Sequence, residues 1–253
     1  MANELLRANL NLYAVIQNLE DLVKYDEEMN TLAKSWRISI QFSVRRGPKA
    51  FVAFENGVCT VGRGKHPSPS VILYFASPAH LNKMFDGKAN PIPLWGFTKL
   101  GFLSKDFAKL TDRLTYFLKP TDELLKDPKY LAINTRLTLN TAGFAVPEIA
   151  KLDEVGQHAA GALKQGTVAM RILPDGPGVY IDMRDGELTT KKGVPDKPTA
   201  CMFMKDIPMA NAFLNGKTDA FTAIASGDVS IRGLLPQLDA MSLILDRVPH
   251  YLS

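Results

Sequence analysis

Hydrophobic side chains recur along this chain with two periods. Leu6, Leu10, Tyr13, Ile16 and Val23 are spaced by threes, fours and sevens, and Glu20, Asp21, Asp26, Glu27 and Glu28 fall on the opposite side. That spacing predicts one long amphipathic helix over 3–34. The period then drops to two. Ile38, Ile40, Phe42 and Val44 alternate with polar residues and predict a strand. A turn at Arg46-Gly47-Pro48-Lys49 leads into short strands at 51–54 and 58–62, joined by the tight turn Asn56-Gly57. A loop over 64–70 with two prolines precedes a continuous apolar strand at 71–75. Ser77 then caps a helix with Pro78 in its first turn and Leu81, Met84 and Phe85 on one face.

Past Lys88 the chain carries Pro91 and Pro93, and a helix is predicted over 104–118. Phe107, Leu110, Leu114 and Phe117 form its apolar face; Lys105, Asp106, Lys109, Asp112 and Arg113 lie opposite. Pro120 and Pro128 break the connection that follows, around one short helical piece at 122–126. Helix is predicted over 130–141. A further helix, with Pro147 in its first turn, is predicted to run to about Leu163. A second run of strands begins at Thr167.

The stretch 206–245 is the most organised. Asp206 caps a helix bearing Met209, Ala210, Phe213 and Leu214, which Gly216 ends. A second short helix at 220–225 carries Phe221 and Ile224. A strand at 228–232 alternates Val229 and Ile231, and after Gly233 a helix at 234–245 is apolar nearly all round. An all-round apolar helix must be covered on more than one side.

Residues 47–88 align without a gap on residues 176–217, at a constant offset of 129. Gly47-Pro48 meets Gly176-Pro177, Gly57 meets Gly186, Gly64 meets Gly193, Asn82 meets Asn211, and Gly87-Lys88 meets Gly216-Lys217. The shared glycines and prolines fall at turns, where backbone geometry restricts the residue type. This predicts a duplicated α/β (α+β) unit, over 1–120 and 121–253.

The order of elements around Phe213, Leu214, Gly216, Lys217, Asp219, Ala220, Phe221, Gly227, Val229, Ile231, Gly233 and Leu238 resembles the sterol carrier protein 2 family. The resemblance is closer in the second half. It implies a twisted, mostly antiparallel sheet of about five strands covered by helices, with a lipid tunnel between the layers. It implies non-catalytic binding, and transfer, of a lipid or a fatty acyl or isoprenoid-type ligand. The ligand wall on this reading is Met202, Met204, Met209, Phe213, Leu214, Phe221, Ile224, Leu234, Leu238, Met241 and Leu245. The methionines add an independent reason, since flexible thioethers adapt to an aliphatic guest.

Composition narrows the alternatives. The chain has 253 residues, 46% of them hydrophobic, and a net charge of +4, too small to argue for nucleic acid. The excess lies in residues 1–128, with 17 basic against 13 acidic side chains. Cys59 and Cys201 sit in apolar alternating runs and read as buried thiols in a reducing, cytoplasmic setting. The start of the chain lacks the pattern of a signal peptide, and no apolar run is long enough to span a membrane. The four histidines are scattered, Asn211 stands where a phosphate-binding loop needs glycine, and no nucleophile elbow occurs. No catalytic residue, metal or cofactor is therefore expected. Arg45, Arg46, Arg63 and Lys65 lie in turns at one end of the predicted meander, where they form a basic rim for an anionic membrane or are simply solvated. The rival reading is an accessory protein, its tunnel collapsed, that docks onto a lipid-metabolising enzyme; the apolar last helix would equally serve a homodimer.

Overall fold

The computed structural model describes residues 2–163 and 165–252, apart from the side chains of Ala2 and Phe221. The chain divides into two compact units, Met1–Lys119 and Pro120–Ser253.

In the first unit, the single helix expected over 3–34 is broken three times. It comprises α1 (Ala2–Leu10), a π turn (Asn11–Val15), α2 (Asn18–Tyr25) and α3 (Glu27–Ala33). The last break has a clear cause. Asp26 leaves helical space, at φ −90° and ψ 119°, and its carboxylate accepts the Met29 N–H to cap α3. Four strands follow, β1 (Ile38–Val44), β2 (Lys49–Glu55), β3 (Val58–Arg63) and β4 (Val71–Phe75). Then come α4 (Pro78–Phe85), capped by Ser77, and β5 (Ile92–Trp95). The strand β5 was not anticipated, because Pro91 and Pro93 argue against a strand. Pro93 is accommodated because β5 lies at the sheet edge and its pairing to β4 is irregular at Ile72/Leu73. A 3-10 turn (Phe97–Lys99), α5 (Leu100–Phe102), a second π turn (Leu103–Phe107) and α6 (Ala108–Leu118) complete the unit.

The sheet order is β3-β2-β1-β4-β5; β1 and β4 are parallel and the other pairs antiparallel. Register places Ile40, Phe42, Val44, Val52, Phe54, Val71, Leu73 and Phe75 on one face, all buried. Aromatic rings fill the space above it. Phe42 stacks with Phe75 and meets Phe107, while Trp36 and Phe54 both pack on Phe102.

The second unit repeats this order. A short 3-10 turn (Leu124–Lys126) precedes α7 (Pro128–Leu152) and α8 (Glu154–Ala160). The strands are β6 (Gly166–Ile172), β7 (Gly178–Arg184), β8 (Glu187–Lys192) and β9 (Ala200–Met204), followed by α9 (Ile207–Leu214), α10 (Ala220–Ala225), β10 (Val229–Gly233), α11 (Leu235–Leu245) and α12 (Val248–Leu252). Its sheet runs β10-β9-β6-β7-β8, with β6 and β9 parallel. The expected helix start at Pro147 is a correction: Pro147 lies inside the 25-residue α7. A mid-helix proline deprives the carbonyl four residues earlier of its N–H. That carbonyl belongs to Gly143, and it accepts the Thr190 hydroxyl of β8 at 2.8 Å instead. Gly143 also lets the helix lie against Val179, where a Cβ would come within 2.6 Å.

From β2 to α4 every element of the first unit has its counterpart 129 residues later. The turn residues match in conformation: Asn56 and Asp185 have φ 52° and 51°, and Gly87 and Gly216 have φ 70° and 68°. The units part company next. Eight residues separate Gly87 from Gly96 in the first, against sixteen between Gly216 and Gly233 in the second, and α10 occupies the difference. The paths converge again at those later glycines. Each has positive φ and presses its backbone on the strand beside it; a Cβ would lie 2.2 Å from the Ser70 carbonyl oxygen at Gly96 and 2.0 Å from that of Thr199 at Gly233.

Candidate functional site

Of the expected ligand-wall residues, Met202 and Met204 lie on the covered face of the second sheet. Cross-strand register aligns Met170 with Met202 and Ile172 with Met204, and sets Val229 beside Met204 and Ile231 beside Met202. Val179, Ile181 and Met183 of β7 extend the same face. Here α7 packs on β7 and β8, α11 on β6 and β9, and α9 on β9. The inward stripe of α11 is Gln237, Leu238, Ala240, Met241 and Ile244, at helical spacing. Five buried methionines, Met170, Met183, Met202, Met204 and Met241, therefore surround this layer. The first unit holds aromatic rings in the corresponding layer.

The eleven expected wall residues separate into a bed and a rim. Met202, Met204, Leu238 and Met241 are buried and form the bed. Met209, Phe213 and Leu214 of α9 and Leu245 of α11 are half-buried. Ile224 and Leu234 are exposed, at 42% and 53%, so they stand at the surface and not within the wall. The side chain of Phe221 lies outside the described residues. Sequence reasoning passed over Leu235 and Leu243, which are also exposed on α11 at 58% and 47%. Their signal was present: an apolar helix with one buried stripe leaves its remaining leucines outside.

Two polar fixtures hold the helices over this layer. Asn211 of α9 is buried, and its side-chain Nδ2 donates to the Asn134 side-chain Oδ1 and the Thr135 hydroxyl of α7, at 2.5 and 3.0 Å. In the first unit Asn82, at the matching position, instead accepts through Oδ1 from the Asn11 Nδ2, at 3.0 Å. Asp153, between α7 and α8, is the second fixture. One carboxylate oxygen caps α8 through the Gly156 N–H; the other accepts Arg247 Nε and Nη2 and the Tyr251 hydroxyl. Burial works to raise the Asp153 carboxyl. The bonds from Tyr251, Gly156 and Arg247, with the Arg247 charge, together outweigh it and hold the group below the usual carboxylate value. Asp26 and Arg113 make the same clasp in the first unit, at 2.8 and 3.0 Å.

The opposite face of the second sheet is polar. Lys191 lies over the Tyr180 ring, Arg232 over Phe203, and Asp182 pairs with Arg184 and Lys191. Cys201 is buried on this face; burial pushes its thiol up to about 11 against the opposing charges of Arg171 and Arg232. Cys59 is also buried. Among the described residues no group of three His, Cys, Asp or Glu side chains is placed to hold a metal ion, and no helix is long and apolar enough to cross a membrane.

The basic residues Arg45, Arg46, Arg63 and Lys65 are exposed at one end of the first sheet, where Arg63 pairs with Ala50 beside the β1–β2 turn. The Arg63 guanidinium covers the Tyr13 ring at 4.1 Å from its centre. On the outer face of the β2–β3 hairpin an open depression of about 300 Å³ is lined by Ala53, Glu55, Asn56, Val58 and Thr60.

No protein-family model and no curated protein matches the chain. Solved structures similar to it include a sterol carrier protein 2, at 17% identity over 44% of this chain and 92% of that one, with a TM-score of 0.34. The sterol carrier protein domain 2 of Helicoverpa armigera is 12% identical over 46% of this chain and 91% of its own, with a TM-score of 0.35. A UbiJ-SCP2 ubiquinone synthesis protein is 8% identical over 41% and 88%, with a TM-score of 0.32.

Proposed function

We propose that the second unit binds a long apolar molecule, of the lipid or acyl-chain class, between the methionine face of its sheet and α9 and α11, without transforming it chemically. The carrying observation is the contrast between the two cores. The same layer is packed with interlocking rings in the first unit and with flexible thioethers in the second. Methionine's three rotatable bonds let such a wall part around a guest at low cost. Met209, Phe213, Leu214 and Leu245 are half-buried and Ile224 and Leu234 exposed, which leaves apolar surface on α9, α10 and the start of α11 for a guest to meet. The resemblance of 206–245 to sterol carrier sequences supports the same reading.

The experiment is a chain-length series. The protein is extracted with organic solvent, refolded, and titrated with saturated fatty acids of increasing length against a fluorescent acyl probe. Burial contributes about 0.8 kcal/mol per methylene, so two further methylenes tighten binding roughly tenfold until the bed is filled. An affinity independent of length rejects the proposal. The accessory-protein reading draws on the exposed Leu235 and Leu243 of α11. Native mass spectrometry before extraction separates the two: co-purifying lipid favours the carrier, and a clean chain mass with a tightly bound protein partner favours the accessory.

A further inference from the structure

We propose that the segment 92–100 of the first unit is a membrane-inserting wedge that seats this protein on an anionic bilayer. Along β5 and the turn after it, Ile92, Leu94, Trp95, Phe97 and Leu100 are all exposed, Trp95 and Phe97 to more than 60%. Contiguous large apolar groups at a surface require a partner. Their chemistry says which. Tryptophan and phenylalanine next to lysine is the composition that settles at the boundary between headgroups and acyl chains. Residues 87–105 contain Lys88, Lys99 and Lys105 and no acidic residue. All three lysines are exposed, and Lys99 stands within the turn itself, so the apolar tip carries positive charge that matches anionic headgroups.

The wedge is also held stiffly. Gly96, at φ 80°, is pressed on Ser70 and Val71, with no room for a Cβ. Trp95 is registered to Ile72, and the 3-10 turn Phe97–Lys99 continues into α5, whose Phe102 is anchored against Trp36. A fixed tip loses little conformational freedom on insertion. Strand directions place its Trp95 end at the opposite end of the sheet from Arg45, Arg46, Arg63 and Lys65: Val44 pairs with Phe75, whereas Trp95 is registered to Ile72 and Gly96 sits at Ser70; Ile92, registered to Tyr74, begins the segment nearer the basic turns. The membrane is thereby assigned to the tryptophan end and not to the basic turns. This inference does not depend on the ligand site of the second unit.

Trp95 reports directly on the test. The chain has two tryptophans, and the other, Trp36, is 5% exposed. The full chain is titrated with vesicles of phosphatidylcholine containing about one quarter phosphatidylglycerol. The expected result is a blue shift of emission, quenching by brominated acyl chains, and co-sedimentation. Leu94→Ser, Trp95→Ser and Phe97→Ser combined should cut co-sedimentation at least tenfold with an unchanged melting temperature, since these side chains lie outside the core. Neutralising Lys99 or Lys105 to Gln should weaken it roughly fivefold per charge. Reversing Arg45, Arg46, Arg63 and Lys65 to Glu should leave insertion intact. The inference is overturned if emission and sedimentation ignore the vesicles, or if the four reversals abolish binding while the serine triple retains it. A blue shift that follows protein concentration without lipid, with a doubled mass, would assign the patch to a second copy of the chain and overturn it equally.

Discussion

Replacing Asp153 by alanine tests how the last helix is fastened over the proposed site. The carboxylate is 3% exposed and does two jobs at once. It caps α8 through the Gly156 N–H at 2.9 Å, and it receives Arg247 at 3.0 and 3.2 Å and Tyr251 at 2.5 Å. Loss of the cap costs about 1 kcal/mol. Bonds from a charged donor contribute about 1.5–3 kcal/mol when buried. Arg247 keeps 29% of its side chain in water, so rehydration offsets part of that loss. The sum is about 2–3 kcal/mol, read by urea denaturation followed by far-ultraviolet circular dichroism. Asp153→Asn separates the jobs. Asparagine caps nearly as well as aspartate, so it should lose only the charged part, about 1–2 kcal/mol. The sign with pH is fixed. The folded carboxyl titrates below its ordinary value of 3.8, so its contribution is complete above that pH and is lost as the pH falls through the lower folded value. The stability gap between wild type and Asp153→Asn should therefore close on acidification below about pH 4. An Asp153→Ala cost under about 1 kcal/mol, or an Asn variant as damaging as the Ala variant, would refute this account of the clasp.

Three other outcomes are expected. Asp26→Ala should destabilise the first unit comparably, since Arg113 and the Met29 N–H lose the same partner; tryptophan emission reads it, because Trp36 and Trp95 both lie there. Gly233→Ala should cost at least about 3 kcal/mol, because its Cβ would meet the Thr199 carbonyl oxygen in a left-handed backbone, whereas Gly227→Ala, at φ 77° with open space around it, should cost only about 1 kcal/mol. Melting curves of the two variants decide the matter, and equal shifts would contradict the packing argument. Ellman's reagent at pH 8 should label neither Cys59 nor Cys201 until denaturant is added, given their burial and the raised Cys201 thiol; prompt labelling of the native chain would count against that core.

Strands and turns were the most legible part of the sequence. Period-two alternation marked β1, and Asn56-Gly57 announced its own turn, because these signals are local. The misreadings share a different cause: in each, a contact distant in sequence outweighed a local preference. Pro147 reads as a helix start, yet the Thr190 hydroxyl satisfies the carbonyl that proline abandons, so α7 continues. Asp26 reads as one more polar position on a long helix, yet Arg113, far along the chain, holds it as a cap. The prolines near β5 hid a strand that an edge position tolerates. In the candidate site, apolar identity was legible but depth was not. Met204 and Leu234 look alike in sequence, and only the packing of α11 on β9 makes one a floor and leaves the other at the surface.

The two pinned glycines, Gly96 and Gly233, act as mortises in the framework. Upstream of the variable stretch Gly87 and Gly216 share one turn conformation, and downstream the backbone is pinned at the same point, so what lies between is a cassette. Its length can change without disturbing the joinery, as eight and sixteen residues already demonstrate within one chain. Grafting the longer cassette into the first unit, or the shorter into the second, is thus a modular swap that the scaffold has in effect already rehearsed.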